Sequence, residues 1–147
     1  MKRIILLLLS ALLLLGCNGE KKQAAYECEM YLNQAERAFS EGDYQVSLAR
    51  NARDWGSSRQ YLQEAIRYFQ EAGKNAKEAA SIASYYESTV EDEANKAVCK
   101  SSDASSSARL AASSTNNNEV ERLTSQSQSD AYDGKKAIGQ AKRYLWY

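Results

Sequence analysis

The chain has 147 residues, the length of a single domain, and its 19 basic residues are balanced by 19 acidic ones. This balance excludes the strong basic excess expected of a nucleic-acid-binding domain. The sequence contains no histidine, so the usual general base near neutral pH and the commonest zinc ligand are both missing. We therefore expect a protein without enzymatic activity, cofactor or metal.

The composition favours helices. There is no proline, and alanine, glutamate, lysine, glutamine and arginine are plentiful. These residue types lose little entropy in a helix, whereas proline would break one. We predict an all-α fold, a small bundle of antiparallel helical hairpins.

Residues 1–16 have the features of a signal peptide. Lys2 and Arg3 form a short positive region, and residues 4–15 are apolar except for Ser10. This run is shorter than the roughly 20 residues that a membrane-spanning helix needs, but it suits the hydrophobic region of a secretory signal. Because two basic residues leave with the leader, residues 17–147 would carry a net charge near −2.

The leader ends in Leu14-Leu15-Gly16-Cys17. This segment resembles the lipobox of bacterial lipoproteins, with leucine three residues before a cysteine and a small residue just before it. The resemblance implies cleavage before Cys17, diacylglycerol on its thiol and a further acyl chain on the new amino terminus, which together anchor the protein stably. Asn18 in place of Asp implies the outer membrane, facing the periplasm or exposed at the cell surface. The alternative is a plain N-terminal anchor with an incidental cysteine.

Residues 17–23 then hold the lipidated cysteine and a polar tether, and residues 24–100 form a helical domain. An apolar stripe predicts a first helix over about residues 22–41. Gly42 suits the end of this helix and Asp43 the N-cap of a second, which reaches about residue 69 with a weak point at 56–58. Gly73 repeats the stop signal, and Asn75 with Glu78 resembles the capping box of a third, alanine-faced helix.

The third helix carries an acidic run. We interpret this run as a solvent-exposed face rather than a metal site. Its members are Glu87, Glu91, Asp92 and Glu93.

Residues 101–118 are predicted to be a Ser/Asn-rich spacer. Ten of the 29 residues from 101 to 129 are serine, and positions 116–118 are all asparagine. These side chains compete with the helix by bonding to the local backbone, so we expect weak or mobile structure on the surface.

Residues 119–147 form a C-terminal helical segment that ends in an amphipathic helix. We favour packing of this helix on the protein's own core, while docking into a partner's groove or lying on an anionic membrane remain alternatives. The apolar side carries Ala137, Ile138, Ala141, Tyr144 and Leu145, the basic side carries Lys135, Lys136, Lys142 and Arg143, and Trp146 and Tyr147 end the chain.

Cys28 and Cys99 remain after Cys17 is lipidated. In an oxidising compartment two such cysteines are a natural pair, and we favour a disulfide between them. Cys99 points away from the apolar stripe of a regular third helix, so the bond would need this helix to end or unwind near Val98. The alternative is one buried and one exposed thiol, without a catalytic role.

Residues 31–54 contain an Ala-x-x-Ala/Phe-x-x-Gly-Asp-Tyr turn that resembles the hairpin of a tetratricopeptide repeat. The first helix matches at Tyr31, Ala35 and Phe39. No second copy follows at a spacing of about 34 residues, so a solenoid is not expected. The second helix departs from the repeat at Ser47, Asn51 and Asp54.

The same stretch is similar to a family of short helical lipoprotein domains of unknown function, through Leu48, Ala49 and Ala52, although the Ala-Pro of that family is missing. The leader also resembles that of the murein lipoprotein. That family ends in a lysine linked to peptidoglycan, whereas this chain ends in Tyr147.

These features favour a non-catalytic, lipid-anchored adaptor or structural protein that binds another envelope protein. A lipoprotein that excludes conjugation or phage is the second hypothesis. A carboxylate-based cell-wall hydrolase is the third, and it would need two carboxyl groups about 5–9.5 Å apart. We expect no nucleic-acid partner, and the sequence leaves the oligomeric state open. The candidate interaction residues are Tyr26, Tyr61 and Tyr68, and in the C-terminal helix Lys142, Arg143, Tyr144 and Trp146.

Overall fold

The computed structural model describes residues 2–146, with side chains from Gly19 onward. Met1, Tyr147 and the side chain of Cys17, on which the lipobox prediction depends, lie outside the described residues. The described chain forms four helices: α1 (Lys2–Asn51), α2 (Trp55–Ala83), α3 (Ser88–Ser113) and α4 (Asn117–Tyr144).

The helices form an up-down-up-down bundle. Helix α1 packs against α2 and α4, and α3 packs against the same two helices from the other side, so α1 and α3 lie diagonally opposite each other. Short turns at 52–54, 84–87 and 114–116 join neighbouring antiparallel helices. The prediction of an all-α bundle of antiparallel hairpins is confirmed.

The predicted break at Gly42 and Asp43 is wrong, because α1 continues through both residues to Asn51. Gly42 is buried beside the ring of Phe69, where a side chain would collide with it. Asp43 caps nothing. Its carboxylate instead accepts hydrogen bonds from Gln128 and Lys135 of α4, at 3.1 and 3.0 Å.

Helix α2 begins at Trp55, just before the predicted weak point, and residues 56–58 are themselves helical. Asp54 is its N-cap and accepts a hydrogen bond from the Ser57 backbone N–H at 2.8 Å. The expected stop at Gly73 and capping box at Asn75 are wrong, since α2 continues to Ala83. Gly73 is buried against Ser101 of α3, so close helix approach, not a turn, explains this glycine.

Two phenylalanines fill the middle of the bundle. Phe39 of α1 and Phe69 of α2 are fully buried, and their ring centroids lie 6.3 Å apart. Phe39 packs over Gly134 of α4, and Phe69 packs over Gly42 of α1. Much of the surrounding core is alanine, which allows close packing but buries little apolar area per residue.

The predicted spacer at 101–118 is mostly helical: α3 extends to Ser113, and α4 begins at Asn117. Hydroxyl groups bond to carbonyls here without interrupting the helices. Ser101 donates to the Val98 carbonyl at 2.7 Å, and Ser127 of α4 donates across the interface to the Ala104 carbonyl of α3 at 2.8 Å. Both serines are buried: Ser101 lies against Gly73 of α2, and the bond from Ser127 places Ala104 in the α3/α4 interface.

The C-terminal helix packs back on the protein's own core, which was the favoured interpretation. Ala137, Ile138, Ala141 and Leu145 are buried. Polar pairs hold this helix to α1 along a line that we call the α1/α4 seam. These pairs are Glu36 with Lys142, Asp43 with Lys135 and Gln128, Ser47 with Gln128, and Arg50 with Gln128.

Two glycines of α4 provide a matched test of this packing. A Cβ added at Gly134 would lie within 2.9 Å of three ring carbons of the fully buried Phe39, whereas one added at Gly139 would meet nothing within 4 Å. We expect Gly134→Ala to lower the free energy of unfolding by about 1–3 kcal/mol because the core is overpacked. Gly139→Ala should instead raise it by up to about 1 kcal/mol through helix propensity. Urea denaturation followed by circular dichroism measures both, and equal effects would contradict the assigned packing.

Candidate interaction surfaces

Aromatic side chains cluster at the end of the bundle where α1 enters it. Tyr26 of α1 makes an edge-to-face contact with Trp146, with ring centroids 4.9 Å apart, and about half of each residue is exposed. Tyr144 is also exposed, on the last turn of α4. Four of the predicted interaction residues lie here, namely Tyr26, Arg143, Tyr144 and Trp146.

The turn between α2 and α3 adds two tyrosines to this end. Tyr85 is 88% exposed, the most exposed large hydrophobic residue described. With Tyr86, it borders a shallow cavity of about 280 Å³ whose other wall is formed by Lys21 and Ala24 of α1. We call the surface formed by Tyr26, Tyr85, Tyr86, Tyr144 and Trp146 the aromatic end. The sequence analysis missed Tyr85, because it assigned no turn there.

The other predicted interaction residues are less available. Tyr61 is half-buried and packs against the core. Tyr68 is also half-buried, and its ring lies 5.1 Å from the guanidinium carbon of Arg67. Lys142 is paired with Glu36 of α1. Tyr61 and Tyr68 lie within α2 and do not belong to the aromatic end.

Two exposed tyrosines border the α1/α4 seam. Tyr44 follows Asp43 and is 57% exposed, and Tyr132 is 65% exposed. Tyr132 lies about one helical turn from both Gln128 and Lys135, the seam residues of α4. Exposed tyrosines beside a polar, hydrogen-bonded seam form a surface with the composition of a protein interface. The sequence analysis missed this surface, because only the packing of α4 against α1 brings the two tyrosines to the same side of the bundle.

The acidic run of α3 was expected to form a solvent-exposed face, but the structure shows that its members differ. Glu87 caps the helix, accepting a hydrogen bond from the Thr89 backbone N–H at 3.3 Å. Glu93 is buried: its Oε1 bonds to Lys96 at 2.5 Å, and its Oε2 has no hydrogen-bond partner among the described residues.

A groove of about 630 Å³ between α3 and α4 is lined by Glu93, Lys96, Cys99 and Lys100. Lys100 donates a hydrogen bond to the buried carboxylate of Asp130 at 3.1 Å, and this bond raises the pKa of Lys100. This pairing connects α3 to α4 and stabilises the bundle.

The predicted Cys28–Cys99 disulfide is wrong, and the alternative of one buried and one exposed thiol is correct. Cys28 donates to the Ala79 carbonyl of α2 at 3.5 Å, beside Tyr86, and burial raises the pKa of its thiol. Cys99 lies on α3, diagonally opposite α1, and faces the outer groove. Helix α3 does not unwind near Val98, so the two thiols cannot meet.

The opposite end of the bundle has a polar cleft of about 760 Å³, lined by Arg50, Arg53 and Trp55 beside the first turn of α4. Trp55 lies under the guanidinium of the exposed Arg59, at 5.1 Å from its carbon.

Within the described side chains, no group of three or more potential metal ligands comes together. None of the described helices has an apolar stretch sufficient to cross a bilayer. In comparisons with known proteins, no family model, no curated protein and no solved structure matches this chain.

The two thiols should differ in reactivity. The thiolate is the reactive form, so the buried Cys28, whose pKa is raised, should resist alkylation while the exposed Cys99 reacts. Mass spectrometry after maleimide treatment of the folded protein should show labelling at Cys99 but not at Cys28, and Cys28 should become labelled only after denaturant is added. A Cys28–Cys99 crosslink in protein isolated without reductant would contradict this arrangement.

Proposed function

We propose that this protein is a non-catalytic helical adaptor of the bacterial envelope, anchored by lipid on Cys17 and binding another envelope protein. The outer membrane is the proposed location, with the bundle facing the periplasm. The Leu14-Leu15-Gly16-Cys17 segment supports the anchor. The sequence supports the absence of catalysis, since it has no histidine.

The observation that carries the adaptor proposal is the continuity of α1. This helix runs without a turn from the leader region into the bundle. Ala25 is the first buried residue described, and it follows Cys17 by eight positions, or about 12 Å of helix. A bundle attached so closely has little reach, which favours a partner at the same membrane.

The surface proposed for the partner is the side of the bundle that carries Tyr44 and Tyr132. Tyrosine buries a large area at low entropic cost and keeps a polar tip, which is why it is favoured at interfaces. Leu110 of α3 offers a matched control, since it is 58% exposed and α3 is diagonally opposite α1.

The anchor is tested by Cys17→Ser. A lipobox without its thiol cannot take the lipid, so the variant should lose incorporation of labelled palmitate and keep residues 1–16. The wild-type protein should be labelled and shortened. Membrane fractionation and intact-mass measurement check this result. An unlabelled wild-type chain of full length would contradict the anchor and favour a plain N-terminal anchor.

The partner is tested by photo-crosslinking in intact cells. A photoreactive residue at position 44 or 132 should trap the same envelope protein, and one at position 110 should not. Trapping should be reduced in the Cys17→Ser background, because the bundle no longer reaches its membrane. The adaptor proposal fails at this surface if the lipidated protein traps nothing specific from positions 44 and 132.

A further inference from the structure

The aromatic end concentrates exposed apolar side chains. Of the eight exposed large hydrophobic residues that the structure describes, four belong to it: Tyr26, Tyr85, Tyr144 and Trp146. They come from α1, the 84–87 turn and the last residues of α4, three segments far apart in the sequence. The fold therefore places exposed aromatic rings from three segments at one end of the bundle, outside its buried core.

The path of α1 shows in which direction the aromatic end points. Helix α1 leaves the bundle at this end, towards the apolar residues 4–15. Tyr85 borders a cavity with Lys21 and Ala24, only four and seven residues after Cys17. At 1.5 Å per residue these positions lie about 6–10 Å from Cys17 along the helix. That distance is close to the thickness of the lipid headgroup layer, about 5–8 Å per leaflet.

We propose that the aromatic end lies against the lipid headgroups and holds the bundle upright on the membrane that its anchor enters. This inference rests on the proposed anchor at Cys17. Tyrosine and tryptophan prefer the membrane–water interface, because their rings are apolar while their O–H and N–H groups remain hydrated. Such contacts fix orientation, whereas the lipid alone supplies attachment.

Charge at this end is nearly balanced. Because the charges nearly cancel, contact through the aromatic rings dominates, and the upright orientation of the bundle should not require anionic lipid. This differs from a polybasic segment, which depends on negative lipid and low salt. The basic members are Lys21, Lys22 and Arg143, and the acidic members are Glu20, Glu27, Glu29 and Glu87.

The two tryptophans permit a direct test, since they lie at opposite ends of the bundle. Trp146 belongs to the aromatic end, and Trp55 is the first residue of α2. The 29 residues of α2 separate these ends by about 43 Å. Trp55→Phe leaves Trp146 as the only fluorophore excited at long wavelength, and Trp146→Phe leaves Trp55.

The lipidated, processed protein (residues 17–147) is incorporated into phosphatidylcholine vesicles that contain a headgroup nitroxide lipid. Emission from Trp146 should be quenched and emission from Trp55 should not. Tyr85→Ser in the Trp55→Phe background should weaken the quenching, whereas Tyr132→Ser, which changes an equally exposed tyrosine on the side of the bundle, should not. Circular dichroism confirms that each variant is folded.

Three outcomes separate the proposals. If the protein floats with the vesicles and neither tryptophan is quenched, the orientation is wrong but the anchor stands. Equal quenching of both tryptophans would also overturn the orientation, since the bundle would then lie flat. If the processed protein does not float with the vesicles, the anchor itself fails.

Discussion

The bundle depends on two phenylalanine rings that each occupy the space left by a missing side chain on a neighbouring helix. Phe39 fills the notch at Gly134 of α4, and Phe69 fills the notch at Gly42 of α1. These are the largest fully buried side chains in a core otherwise rich in alanine. Their positions fix the register of α1 against both α2 and α4. Helices faced with alanine alone could slide past one another at small cost, because each alanine contributes little shape to the contact.

Polar contacts between the helices add specificity that the alanine-rich core does not provide. On one side Asp43 and Gln128 join α1 to α4, and on another Asp130 accepts hydrogen bonds from Lys100 and Gln126. Asp130 is buried, so removing a partner would leave an unsatisfied charge, which is more costly than the loss of an exposed ion pair. These polar contacts therefore favour one pairing of the helices and destabilise shifted ones.

Composition and periodicity were enough to predict an all-α bundle, and the apolar stripe predicted for residues 22–41 is buried: Cys28, Leu32, Ala35 and Phe39 all lie in the core. Helix ends were not predictable from glycine. At Gly42 and Gly73 a local rule, glycine as a C-terminal stop, gave the wrong answer, because the missing side chain serves packing against a residue distant in sequence.

The buried serines led to a wrong prediction for a related reason. Their hydroxyls satisfy themselves on carbonyls within or between helices, and only the tertiary contact shows that a serine-rich helix has a buried face. In the candidate surface, the sequence predicted Tyr26 and Trp146 separately as interaction residues. Their contact could not be predicted, because it arises from the four-helix topology.

The same topology explains why the two ends of the bundle differ. With an even number of helices, both the start of α1 and the end of α4 lie at one end, together with the α2/α3 turn. The other end receives the α1/α2 and α3/α4 turns and carries the polar cleft with Arg50 and Arg53. The proposed anchor at Cys17 would therefore place the aromatic residues at the membrane and the arginine-lined cleft farthest from it. If α1 were interrupted after the anchor, the bundle could rotate freely and this asymmetry would have no consequence. Because α1 is continuous, the proposed anchor would set the direction of the whole bundle, and the sides of the bundle, including the α1/α4 seam, would face away from the membrane.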